Sequence, residues 1–73
     1  SDKYQRSLAI LGLSHDATQN EIEKAYLTLR EKFHPDKWND KSANDQEYAE
    51  FVSKLIQEAY DTLKTNKKRR TNQ

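Results

Sequence analysis

The side chains able to do chemistry are scattered, with one exception, the tripeptide His34-Pro35-Asp36. Proline fixes its own backbone, so an imidazole and a carboxylate on either side of it project from a rigid corner. The plainest use of such a corner is to stop a helix, with the Asp as a cap. The functional use is to present both groups to a partner. Other chemistries lack their parts. His15 and His34 are the two histidines, and with no cysteine present they make no metal site, which takes three or four ligands. Asp16, Asp40 and Asp45 lack the spacing and the glycine of a calcium loop. Gly12 is the single glycine, so no glycine-rich phosphate loop exists, and no Ser/His/Asp order with a strained turn is visible. The chain is therefore not expected to be an enzyme, and no cofactor or metal is expected.

Charge offers a second candidate. The 73 residues carry a net +1, unevenly distributed. Residues 1–63 hold eight Lys/Arg and twelve Asp/Glu, a net of −4, while Lys64, Lys67, Lys68, Arg69 and Arg70 give residues 64–73 a net of +5. The basic charge is a tail feature. It leaves the tail open as an electrostatic contact and weakens the reading of the whole domain as a nucleic-acid binder.

Three helical stretches must position these groups. The first covers about residues 4–11, with Tyr4, Leu8 and Leu11 on one face and Gly12 as terminator. Leu13 then turns inward, and Ser14-His15-Asp16 reads as a turn. The second opens on a capping box, Thr18 with Glu21. Its Ile22, Ala25, Leu29 and Phe33 fall within roughly 80° of one another on a helical wheel, bordered by Tyr26. Leu27 faces away from that stripe. Pro35 disfavours helix at His34 and ends the element. Residues 37–44 read as a polar loop carrying Trp38, whose ring is expected to cover the hairpin end. The third helix is expected over about 45–63. Tyr48, Phe51, Val52, Leu55, Ile56, Ala59 and Leu63 form its broad apolar face, and Tyr48, Phe51, Leu55 and Ala59 are expected in the core. Its acidic start and basic end suit the helix dipole. Residues 67–70 add a short C-terminal helical turn or fray.

Length and composition allow one small domain, 1–73, with its core at about 4–63 and a basic tail at 64–73. One glycine and one proline cannot supply the turns of a many-stranded sandwich. No apolar run approaches the ~20 residues of a membrane span. No targeting signal is visible, so a cytoplasmic setting is the default expectation.

The ordered pieces resemble the J domain, the module of DnaJ-type co-chaperones that engages DnaK-type heat-shock chaperones. They are Leu11-Gly12-Leu13-Ser14, residues 17–22, Lys24-Ala25-Tyr26 with Leu29, Phe33-His34-Pro35-Asp36-Lys37, residues 56–63 and the basic Lys67-Lys68-Arg69-Arg70. The spacing from Leu11-Gly12 to His34 matches without a gap, and nearly the whole chain is covered.

The resemblance implies an all-α fold, a small four-helix bundle. Helices two and three form an antiparallel hairpin, with a short first helix and a short C-terminal helical turn. It implies a non-enzymatic module that docks on the nucleotide-binding domain and interdomain linker of a DnaK-type chaperone. There it stimulates ATP hydrolysis and couples it to client binding. The implied partner-binding residues are His34, Pro35 and Asp36, assisted by Tyr26, Lys24, Arg30 and Lys32. Asp36 is expected to pair with a chaperone arginine. Clients would bind through parts outside this chain, if the protein has any.

Two departures stand out. Glu23, Leu27 and Thr28 occupy positions that usually carry Lys or Arg, leaving the second helix neutral. The segment from Asp36 to Ile56 is several residues longer than in the commonest J domains. Two other readings compete: a small helical nucleic-acid-binding domain using the basic tail, and a J-like scaffold unable to stimulate a chaperone.

Overall fold

The computed structural model describes the backbone of residues 2–71 and the side chains of residues 2–65. Three α-helices and one 3-10 turn follow in order: α1 (Asp2–Ile10), α2 (Gln19–Lys32), η1 (Pro35–Trp38) and α3 (Ala43–Thr71).

Each boundary has a local cause. After α1, Gly12 takes φ +75°, where a side chain would be strained. Its N–H donates to Ala9 O at 2.9 Å and that of Leu13 to Leu8 O at 2.8 Å, the paired bonds of a Schellman stop. The stop also turns Leu13 back against the core beside Leu8. The capping box is complete: Glu21 N–H donates to Thr18 Oγ1 at 3.2 Å, and Thr18 N–H to Glu21 Oε1 at 2.8 Å. α2 ends at Lys32, with Phe33 as its C-cap.

α2 and α3 run antiparallel: Tyr26 meets Tyr60 and Gln57, while Phe33, a turn or two later, meets Ser53. α1 packs mainly against α3. Leu8 and Leu11 from α1 and its stop, Ile22 and Tyr26 from α2, and Ile56, Ala59 and Leu63 from α3 form one buried cluster. At roughly 1.5 Å per residue, the 29 residues of α3 span about 43 Å, close to the molecule's long dimension of 47 Å.

The structure departs from the sequence expectations in three places. The segment 37–44 is not all loop. It begins inside η1, and α3 starts at Ala43 because Ser42 caps it, its Oγ accepting from Asp45 N–H at 3.2 Å. The Gln46 amide braces the turn by donating to Asn39 O and Lys41 O. The C-terminal turn is not separate, since α3 continues without a break through Thr71. The basic side chains of Lys67, Lys68, Arg69 and Arg70 lie outside the described residues. Finally, three residues expected in the core lie outside it: Tyr48 and Phe51 are 55% and 61% exposed, and Leu55 is half-buried and not part of the core cluster. α3 buries the line Ala49, Ile56, Ala59 and Leu63, and Phe51 lies about 160° around the helix from Ala49. α2 ends where Phe33 meets Ser53, so the turns of α3 before Ser53 extend past it and are faced by η1.

Candidate functional site: the His-Pro-Asp corner

The corner sits between the end of α2 and η1. Pro35 is the first residue of η1, where its missing N–H costs no bond and its fixed φ suits the turn. His34 is the cap, extended at φ −60°, ψ 132°. Its Nδ1 accepts from Asp36 N–H at 3.2 Å, and its carbonyl accepts from Lys37 N–H at 2.9 Å. Asp36 Oδ2 approaches His34 Nδ1 at 3.8 Å. The Asp36 side chain is 83% exposed and that of His34 47%. A carboxylate free in solvent on a braced backbone is suited to a charge-assisted, directional bond with an incoming cation.

Pro35 is a ridge between two hollows. One, about 160 Å³, lies between α2 and α3 and is walled by Tyr26, Arg30, His34, Ser53 and Gln57. The other, about 310 Å³, lies against Trp38, Gln46, Glu47 and Glu50.

The structure thus brings together five of the seven residues expected from sequence. His34, Pro35 and Asp36 form the corner, and Tyr26 and Arg30 border the first hollow. Tyr26 does so mainly as a core residue. It is 8% exposed, its ring stacks on Tyr60 at 4.0 Å, and its hydroxyl donates to Gln57 Oε1 at 2.7 Å. Lys24 and Lys32 are exposed but line neither hollow. On a helix turning 100° per residue, Arg30 and Lys32 are roughly 160° apart, and Lys24 points away from the core. Lys32 Nζ instead lies 5.6 Å from the Phe33 ring. Ser53 and Gln57 were missed by the sequence reading. Their only signal is placement on α3 at the register that faces the end of α2.

Trp38 covers the hairpin end, as expected. Its ring stacks on Phe33 at 5.8 Å, near Tyr48 at 6.3 Å, and its Nε1–H donates to Lys32 O at 3.1 Å.

A three-helix fold with this corner at the hairpin end agrees with the J-domain resemblance of the sequence. Comparison with known proteins makes it specific: the DnaJ domain model matches residues 7–72, and the chain belongs to the DnaJ-domain family. It is 48% identical over 61 residues to the chaperone protein DnaJ of Mesomycoplasma hyopneumoniae (strain 232), covering 84% of this chain and 17% of that protein. With the chaperone protein DnaJ of Streptococcus mutans it shares 49% over 59 residues, 81% of this chain and 14% of the relative. The curved DNA-binding protein of Coxiella burnetii (strain Dugway 5J108-111) is 41% identical over 68 residues, 93% and 20% of the two chains. The chain thus spans a fifth or less of these relatives' lengths. No solved structure matches. Among the described residues, no helix is long and apolar enough to cross a membrane, and no cluster of potential metal ligands occurs.

Proposed function

We propose that this domain docks on a DnaK-type heat-shock chaperone, at its nucleotide-binding domain and interdomain linker, and stimulates its ATP hydrolysis. It is not itself an enzyme. The observation that carries the reading is the corner: an exposed Asp36 carboxylate held on a backbone fixed by Pro35 and by the His34 cap. Asp36 pairs with an arginine of the chaperone, while His34, Pro35 and the hollow beside Tyr26 and Arg30 receive the surface around it. A module of this kind raises the partner's rate by binding the hydrolysis-competent conformation more tightly than the resting one.

Single-turnover ATP hydrolysis by a DnaK-type chaperone tests this, with the parent domain and Asp36→Asn. Stimulation by the parent and none by the variant, at unchanged helical content, is the expected result. Equal stimulation by both refutes the role given to the carboxylate. Absence of stimulation by the parent refutes the function as stated and leaves the non-stimulating scaffold.

A DNA-binding reading draws on the basic tail and on the Coxiella relative, a curved DNA-binding protein of which the matched part is a fifth. It predicts duplex affinity that falls steeply with salt.

A further inference from the structure

A helix leaves its last carbonyls without intrahelical donors. In α2 the carbonyls of Lys32 and Phe33 stand directly before the corner, and each is taken by a side chain from a different element. Trp38, in η1, donates its indole Nε1–H to Lys32 O at 3.1 Å. Ser53, in α3, donates its hydroxyl to Phe33 O at 2.8 Å. The first bond closes a loop across the corner, from just ahead of it to just beyond it. The second ties the same stretch of backbone to the longest helix of the molecule. Stacking of Trp38 on Phe33, with ring planes 15° apart, sets the direction of the indole N–H.

From this geometry we infer that Trp38 and Ser53 are positioning residues, clamping the two carbonyls that precede His34-Pro35-Asp36 and so setting the direction in which Asp36 is presented. The inference rests on the docking role proposed above. Its physical content is pre-organisation: a corner ordered before docking loses less conformational freedom on docking. Pro35 fixes its own φ and restricts His34 but donates no bond, so the Lys32 and Phe33 carbonyls ahead of the corner need restraint from elsewhere. Two donors from two elements supply it. Packing alone does not require them, because a phenyl ring stacks on Phe33 as an indole does, and Ser53 without its hydroxyl leaves the helix unchanged.

Three variants separate the donor from the packing. Trp38→Phe keeps an aromatic ring and removes the N–H. Ser53→Ala removes the hydroxyl, and Ser53→Thr restores it. The domain is titrated into single-turnover ATP hydrolysis by a DnaK-type chaperone. Trp38→Phe and Ser53→Ala should each raise the half-saturating concentration about fivefold, the equivalent of one ordinary hydrogen bond. The plateau rate should stay unchanged. In parallel, NMR order parameters of the Asp36 and Lys37 amides should fall in Trp38→Phe and Ser53→Ala only. Thermal melts should show every variant folded at the assay temperature.

Parent-like half-saturation in both donor-deleted variants overturns the inference. So do unchanged order parameters, or a loss of stimulation that merely follows the unfolded fraction. If the parent does not stimulate, the docking reading fails, and the order parameters alone decide whether the clamp exists.

Discussion

Tyr26 offers the sharpest test of how packing and docking divide, because it borders the hollow beside the corner and also belongs to the core. Two variants probe different parts of it. Tyr26→Phe deletes one oxygen and leaves the ring stacked on Tyr60. What disappears is the part-buried 2.7 Å bond to Gln57 Oε1. Such a bond contributes about 0.5–1.5 kcal/mol net. A loss near ~1 kcal/mol lowers the unfolding midpoint of a domain this size by about 4–8 °C. Tyr26→Ala removes the ring as well and costs roughly 3–5 kcal/mol. A chain of this length has a total stability on the order of 4–11 kcal/mol. The alanine variant is therefore close to unfolding, and a loss of stimulation in it reports the fold rather than a contact. The assay is thermal unfolding followed by circular dichroism, run as a double-mutant cycle of Tyr26→Phe with Gln57→Ala, beside ATPase stimulation. The expected coupling is about 1 kcal/mol, with stimulation by Tyr26→Phe within about twofold of the parent. Additivity within ~0.3 kcal/mol would show that the bond contributes nothing. An unmoved midpoint together with abolished stimulation would make the hydroxyl a docking group and refute the packing argument.

Three further outcomes follow from local geometry. Gly12→Ala meets no atom within 4 Å but keeps φ at +75°, so it should cost about 1–2 kcal/mol in chemical denaturation, all of it backbone strain. Asp16 is held below the ordinary aspartate value of 3.8 by the Ser14 hydroxyl, which donates to it at 2.6 Å, then by its own backbone N–H and the charge of His15. Because its folded-state pKa is lowered, its contribution to stability is present above pH ~4 and lost as pH falls through the folded value. An NMR carboxyl titration should show the depression shrink in Ser14→Ala. Glu23→Arg should tighten chaperone binding at low salt and lose that gain at high salt, and unchanged or weaker binding at low salt would refute the role given to the neutral second helix.

The sequence disclosed most where one residue type settles the backbone. Gly12, Thr18 with Glu21, and Pro35 mark their stops and starts with side chains that do one thing, and the structure follows them to within a residue or two. Ser42 carries the same kind of signal, Ser followed three residues later by Asp, but an overall polar composition concealed it. Tyr48 and Phe51 illustrate a different limit. Periodicity identifies which residues share a helix face, but not how far along the helix a neighbour extends. The line through Ile56 stays buried at Ala49, two turns earlier, whereas Tyr48 and Phe51 lie to its sides on turns of α3 that extend past the end of α2, so they are exposed. The corner itself was legible as His34-Pro35-Asp36. Its supports were not, because a serine on α3 and an indole in a polar segment have no local pattern that points to carbonyls 20 and 6 residues away.

Those supports bear on how a neutral second helix would serve the proposed docking. Lys24, Arg30 and Lys32 point in three directions around α2, so they do not form one basic face for long-range attraction. Lys32 lies over the Phe33 ring, and η1's Lys37 pairs with Glu31 at 3.7 Å, which leaves Arg30 as the expected cation that borders the hollow beside the corner. With little electrostatic steering from α2, association should depend weakly on salt. The affinity must then come from short-range fit at a surface ordered in advance. A corner pinned by Pro35, by the His34 cap and by two side-chain donors is suited to that mode of binding. It follows that loosening the corner should weaken docking more than removing Lys24 or Lys32. The comparison of Trp38→Phe with Lys24→Ala in one ATPase titration decides it: a larger defect in Lys24→Ala would put steering, not pre-organisation, first.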